Sequence, residues 1–130
     1  MLIIQKFGGS SLADRERLRR AASISREAFR RGNQVVTVVS APGDATDELL
    51  QRAREIDPEP PGRESDALTS TGEQQSAALM AMMLRSMGVP AKSLTGWQAG
   101  IVTESRHEQA EICLLLPERV ERCLEAGDSR

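Results

Sequence analysis

A lysine followed by two glycines and a serine is the first segment of this sequence that could bind an anion. Lys6, Gly8, Gly9 and Ser10 lie at and just beyond the end of the apolar run Leu2–Phe7. Glycines let backbone N–H groups approach an anion closely, and a lysine beside them would neutralise phosphate charge. A tight turn that uses the glycines only for their geometry explains the pattern equally well. The segment is neither a Walker A loop nor a G-x-G-x-x-G fingerprint.

The choice of lysine at this position is itself informative. Lys6 and Lys92 are the only lysines among the 17 Lys and Arg residues. A compact ammonium group therefore stands where this chain would otherwise place arginine. Chance composition is the alternative explanation.

A second loop, Ser40 to Asp47, follows the next apolar run and carries further polar side chains. Ser40 and Thr46 could hydrogen-bond a carboxylate or a phosphate. Either Thr46 or Asp47 could instead simply cap the helix that follows. If both runs are parallel strands, the two loops lie side by side and form a cleft at the carboxyl ends of the strands.

Glu73 is the third candidate, directly after Gly72 at the predicted start of an apolar helix. A carboxylate in a first helical turn is stabilised by the helix dipole, which is the structural interpretation. The functional interpretation is an anion that faces the ammonium group of a substrate. The residues alone leave both open.

The elements that must position these residues form an α/β pattern. The apolar run Gln34–Val39 has valines on both faces, as an interior strand of a parallel sheet covered by helices would have. Strand, helix and strand within about 40 residues indicate a βαβ unit. The remaining predictions are a first helix capped by Ser10 or Ser11, helices from Asp47 to Ile56, from Thr71 and from Pro117 to Ala126, and short strands at 91–94, 101–103 and 113–116.

Composition excludes several classes of function. The net charge of −2 gives no support to nucleic-acid binding, and no apolar run is long enough to cross a membrane. The N-terminus lacks the features of a signal peptide, so we expect a cytoplasmic protein whose Cys113 and Cys123 are reduced. One histidine and two cysteines show no metal-ligand spacing.

Several segments taken together resemble the aspartokinases of the amino-acid kinase family. They occur in the family's order and span about residues 2 to 127. The matching segments are 6–11 (KFGGSS), 38–50 (VVSAPGDATDELL), 68–73 (LTSTGE) and 94–101 (LTGWQAGI). Pro42 and Gln74 depart from the commonest residues of the family. The resemblance implies a three-layer α/β/α fold with a mainly parallel sheet.

The resemblance also implies an activity: ATP-dependent phosphorylation of the side-chain carboxylate of L-aspartate, the first step towards lysine, threonine and methionine. Mg²⁺ would accompany the ATP phosphates. By position, Lys6 with the Gly8–Ser10 segment would hold the phosphoryl group. Ser40 and Thr46 would contact aspartate, and Glu73 would meet its ammonium group. The aspartate carboxylate is itself the nucleophile.

Later motifs of the family are not found in this sequence. They include a Gly-Arg-Gly-Gly-Ser-Asp-like segment, the nucleotide-binding half and the regulatory ACT domains. We therefore expect residues 1–130 to be the N-terminal, substrate- and phosphate-binding portion of an incomplete kinase domain. The alternatives are a fragment that binds aspartate or phosphate without transfer, and one that associates with itself or with a complementary half.

Overall fold

The computed structural model describes residues 1–127, which form four α-helices and two small sheets. A 3₁₀ turn, Gly9–Leu12, follows the first strand. The elements are β1 (Leu2–Phe7), α1 (Arg15–Arg30), β2 (Gln34–Val39), α2 (Ala45–Ile56), α3 (Gly62–Ser86), β3 (Ile101–Thr103), β4 (Ile112–Leu115) and α4 (Glu118–Glu125).

The first two strands are parallel neighbours joined through α1, which confirms the predicted βαβ unit and the α/β class. Lys6 pairs with Val38, and Phe7 pairs with Val39. The two strands therefore end at the same level. The loop after β1 and the loop after β2 leave the sheet side by side.

Helices α1 and α3 pack on one face of this sheet and form the core. The buried cluster combines Leu18 and Ala22 of α1 with Met80 and Leu84 of α3, and Phe7 is among the sheet residues packed against it. Burial of these side chains is the main favourable term holding the layers together.

A polar contact also joins α1 to the sheet. The Ser25 hydroxyl donates to Gln5 Oε1 at 2.7 Å and is hydrogen-bonded to Thr37 Oγ1 at 3.0 Å. Ser25 is buried, so a hydroxyl without partners there would cost free energy. The contact sets which residues of the two strands face α1.

The opposite face of the parallel pair is open in the described part of the chain. Ile4 is 68% exposed and Val38 is 42% exposed. β2 pairs only with β1 within residues 1–127, so these residues do not include the second neighbour that an interior strand requires. The valines on its second face pack on no helix of the described residues, because α1 and α3 lie on the same side.

The first helix begins later than its sequence indicated. Residues Gly9–Leu12 form a 3₁₀ turn, and α1 is capped by Asp14, whose carboxylate accepts from the Arg17 N–H at 2.8 Å. Ser10 and Ser11 are therefore not its caps. A carboxylate at the cap position is also favoured by the helix dipole.

The third helix begins at Gly62, nine residues before the predicted start at Thr71. The polar stretch before Thr71 has no apolar periodicity, which is why the sequence pattern missed it. Its hydroxyls hydrogen-bond within the helix: Thr69 donates to the Ser65 carbonyl and Thr71 to the Leu68 carbonyl. This internal bonding lets Ser and Thr lie inside a helix.

The C-terminal part follows the predictions except at residues 91–94. β3 and β4 form an antiparallel hairpin, and α4 lies within the predicted range. Residues 91–94 form no strand in the described chain, since no neighbouring strand offers them a ladder. α2 begins at Ala45, two residues before the predicted Asp47. Both cysteines are free, and none of the described helices is long and apolar enough to cross a bilayer.

The two faces of α3 predict different sensitivity to truncation. Leu84 is 7% exposed in the core, whereas Leu79 on the same helix is 47% exposed. We expect Leu84→Ala to lower the free energy of unfolding by about 2–5 kcal/mol, because it leaves a cavity. Leu79→Ala, the matched control, should cost less than about 1 kcal/mol. Urea unfolding followed by circular dichroism measures both, and equal losses would contradict this core.

Candidate functional site

The loop after β1 exposes a cation and free backbone donors. Lys6 lies on the open face of the sheet, is exposed and makes no ion pair within residues 1–127. The N–H groups of Gly9 and Ser10 donate no hydrogen bond in the described chain. A methyl group added at Gly8 would meet nothing within 4 Å, so the loop is open on that side.

The loops after β1 and β2 are in direct backbone contact. The Gly43 N–H donates to the Gly9 carbonyl at 2.8 Å. A Cβ on Gly9 would lie 2.7 Å from the Ala41 carbonyl oxygen and 3.1 Å from that of Gly43. Only glycine allows this approach at position 9. The two loops therefore lie side by side, as predicted, and their backbones pack directly against each other.

Helix α3 joins the same contact from the other side. A Cβ on Gly72 would lie 2.8 Å from Ala41 Cβ and 3.8 Å from Leu49 Cδ1. Glycine at position 72 thus brings the helix backbone against the second loop. Glu73 is the next residue of this helix and is exposed.

The structural interpretation of Glu73 as a first-turn acid is wrong. Because α3 begins at Gly62, Glu73 lies in the middle of a 25-residue helix, far from its N-terminus. Its side chain is exposed and forms no salt bridge with any described residue. The helix dipole offers little at this position, because its effect is confined to the end turns.

Ser40 and Thr46 lie at the second loop with hydroxyls that make no hydrogen bond in the part of the chain the structure describes. Thr46 is the second residue of α2, and the cap position belongs to Asp44, whose side chain makes no capping bond. The alternative that Thr46 or Asp47 caps this helix is therefore wrong. Both residues are half-buried, and their hydroxyl groups are available to a ligand.

Three backbone segments that carry the predicted residues thus meet at Ala41, and each segment offers different chemistry. The first loop presents an ammonium group and backbone N–H donors, which suit a phosphate. The second presents hydroxyls, and α3 presents a carboxylate. Across residues 1–127, no three His, Cys, Asp or Glu side chains converge as a metal site.

Sequence reasoning missed the residues that assemble this site. Ala41, Gly43 and Gly72 carry no reactive group. The sequence signal that could have identified them is their small size close to Ser40 and Glu73. The close approach of Gly72 to Ala41 is a tertiary contact with no local pattern in the sequence.

Segment 94–101 has a local structural role. The Thr95 N–H donates to Gln98 Oε1 at 3.0 Å, and the Gln98 N–H donates to Thr95 Oγ1 at 3.2 Å. This reciprocal pair closes the turn that precedes β3. Gly100 has φ of +86°, and a Cβ there would clash with the Leu116 carbonyl oxygen, so the hairpin requires glycine.

The family model and the known proteins that match this chain agree with each other. The family model described as "Amino acid kinase family" matches residues 1–129. An aspartokinase of Mycolicibacterium smegmatis is 49% identical over 126 residues, which cover 97% of this chain and 30% of that protein. An aspartokinase of Geobacillus stearothermophilus is 50% identical over 126 residues, or 97% of this chain and 31% of that protein.

A solved structure agrees with the fold. The crystal structure of aspartate kinase from Synechocystis superposes with a TM-score of 0.82 at 42% sequence identity, covering 98% of this chain and 20% of that one. The α/β arrangement described above is therefore that of an amino-acid kinase domain. The chain spans about 30% of the length of the curated relatives it matches.

The contact between Gly72 and Ala41 predicts the effect of adding one methyl group. Gly72→Ala should lower the free energy of unfolding by about 1–3 kcal/mol, since the new Cβ clashes with Ala41 Cβ. Ala is favoured over Gly inside a helix by about 1 kcal/mol, so the double variant Ala41→Gly/Gly72→Ala should recover much of the loss. Urea unfolding of the three proteins checks this. A Gly72→Ala variant more stable than the parent would contradict the close approach.

Proposed function

The chain belongs to the amino acid kinase family, and on that premise we propose that it forms the acceptor- and phosphate-binding part of an aspartate kinase. The reaction would transfer the terminal phosphoryl group of ATP to the side-chain carboxylate of L-aspartate. This step opens the route to lysine, threonine and methionine and would take place in the cytoplasm. The observation that carries the proposal is the convergence of both loops and α3 on Ala41.

The first loop fits the phosphates of ATP. Lys6 supplies a cation without an ion-pair partner among the described residues, and the Gly9 and Ser10 N–H groups have no acceptor there. The open space at Gly8 leaves room for a phosphoryl group to approach the backbone. Charge-assisted hydrogen bonds from such donors would hold the transferred group.

The second loop and α3 fit the amino acid. The hydroxyls of Ser40 and Thr46 would donate to the carboxylates of L-aspartate, and the Glu73 carboxylate would bind its ammonium group. All three side chains are without a hydrogen-bond or ion-pair partner among residues 1–127. They therefore need not break an internal contact to bind a ligand.

These residues would act by positioning and by neutralising charge. The aspartate carboxylate is the nucleophile, so the protein needs no nucleophile of its own. Mg²⁺ bound to ATP would neutralise phosphate charge in the complete site. Lys6 and the glycine-loop N–H groups would stabilise the negative charge on the transferred oxygens, and Glu73 would fix the direction of the acceptor.

The span of the chain sets a condition on this activity. About 30% of the relatives' length is matched, so we propose that transfer requires a complementary part of the domain. The open sheet face, with Ile4 and Val38 exposed, suits association with such a part or with a second copy. The alternative function is binding of aspartate or phosphate without transfer.

The test of the kinase proposal is trapping of aspartyl phosphate with hydroxylamine, given Mg-ATP and L-aspartate. We expect product when this chain is combined with the separately expressed remainder of the Geobacillus stearothermophilus relative, and none from the chain alone. Lys6→Ala should lower the rate at least about 10²-fold, because it removes charge from the developing transition state. Arg30→Ala, which removes a positive charge from the exposed side of α1, is the control.

Each other outcome has a definite meaning. Product from the chain alone would refute the need for a complementary part. An unchanged rate in Lys6→Ala would refute the phosphate role of Lys6. No product from a complex seen by size-exclusion chromatography would refute the kinase proposal and favour binding without transfer.

The proposed role of Glu73 predicts a specific change in aspartate recognition. In the combined enzyme, Glu73→Gln should raise the KM for L-aspartate about tenfold, consistent with loss of a charge-assisted hydrogen bond at an exposed site. The KM for ATP should change little. Glu59→Gln, in the exposed loop before α3, serves as the control. An unchanged KM for aspartate in Glu73→Gln would show that Glu73 does not bind the ammonium group.

A further inference from the structure

A cationic surface pocket lies outside the two loops, between α4 and the segment that precedes the Thr95 turn. Its volume is about 460 Å³, and it is open to solvent. It is lined by Lys92, Arg119, Arg122, Cys123 and Ala126. None of the residues assigned above to ATP or aspartate contributes to it.

The three cations of this pocket come from two separate parts of the chain. Lys92 belongs to the extended segment 91–94, whereas Arg119 and Arg122 are one turn apart on α4. Within residues 1–127, no carboxylate lies within 4.0 Å of any of their charged nitrogens. Gathering three like charges without a partner is unfavourable, and a bound anion relieves that cost.

The basic residues of α4 share one side of the helix. At about 3.6 residues per turn, Arg119, Arg122 and Cys123 fall on one side of the helix. The carboxylates of Glu118, Glu121 and Glu125 fall on the adjoining side, where Glu118 and Glu125 are each one turn from Arg122. Arg122 Nε donates to the Glu118 backbone carbonyl at 3.3 Å, which restrains its guanidinium and leaves the other N–H groups for a ligand.

From this arrangement we propose that the pocket of Lys92, Arg119 and Arg122 binds a small phosphate-bearing anion, independently of the loops after β1 and β2. Two guanidinium groups and one ammonium group match the several oxygens of a phosphate. The ligand is inorganic phosphate or the phosphate group of a nucleotide. The exposure of the three side chains makes the binding dependent on ionic strength.

The two cysteines provide a direct readout of anion binding in this pocket. Cys123 is half-buried in the pocket, whereas Cys113 is exposed on β4 and serves as an internal control. The experiment measures the alkylation rate of each thiol with iodoacetamide, a neutral reagent, by peptide mass spectrometry. It is run with inorganic phosphate, with ADP and with chloride at matched ionic strength.

Phosphate at about ten times its dissociation constant should slow the alkylation of Cys123 about tenfold by mass action, and leave Cys113 unchanged. The double variant Arg119→Gln/Arg122→Gln should lose this protection. Arg15→Gln, on the exposed side of α1, should keep it. Protection by phosphate alone identifies inorganic phosphate as the ligand, whereas stronger protection by ADP identifies a nucleotide.

Three results would overturn the proposal: no protection of Cys123, equal slowing of both thiols, or protection that persists in the double variant. Circular dichroism of the double variant verifies its fold, and its Cys113 rate provides a second check. Lys6→Ala should leave the protection intact, so this test stands or falls separately from the kinase proposal. Loss of protection in Lys6→Ala would show that the pocket is not independent.

Discussion

The close approach of three backbones at Ala41 is the constraint on which the rest of the site depends. Gly9 and Gly72 each lie so near this residue that an added Cβ would be 2.7–2.8 Å from one of its atoms. The first loop, the second loop and α3 could not converge with larger residues at these positions. Close backbone packing at the two glycines thus determines where the reactive side chains of neighbouring residues are held.

The hydrophobic core packs against only one face of the two parallel strands. α1 and α3 cover the face of β1 and β2 that carries Phe7 and Val39, and Ser25 aligns the helix with both strands. The other face leaves Ile4 exposed together with Lys6. The same asymmetry therefore gives the site its open side and leaves apolar surface, which a further layer of protein would bury in a three-layer fold.

Local patterns predicted much of the fold and the identity of the candidate residues. β1, α1, β2, the hairpin strands and α4 follow from apolar periodicity and glycine or proline boundaries. Predictions failed where a partner outside the segment decides the outcome. Residues 91–94, predicted as a strand, have no ladder in the described chain. The early start of α3 is a different case, because its polar stretch bonds its own hydroxyls.

The sequence by itself determined the chemistry available to this protein: an ammonium group beside glycines, two loop hydroxyls and a carboxylate after Gly72, in an order that resembles the aspartokinases. Only the tertiary structure decided that Glu73 lies in mid-helix and that its helix meets the second loop at Ala41. Likewise, only the fold brought Lys92 to α4. Residue types and short spacings are written in the local chain, whereas contacts between distant segments depend on how their surfaces pack.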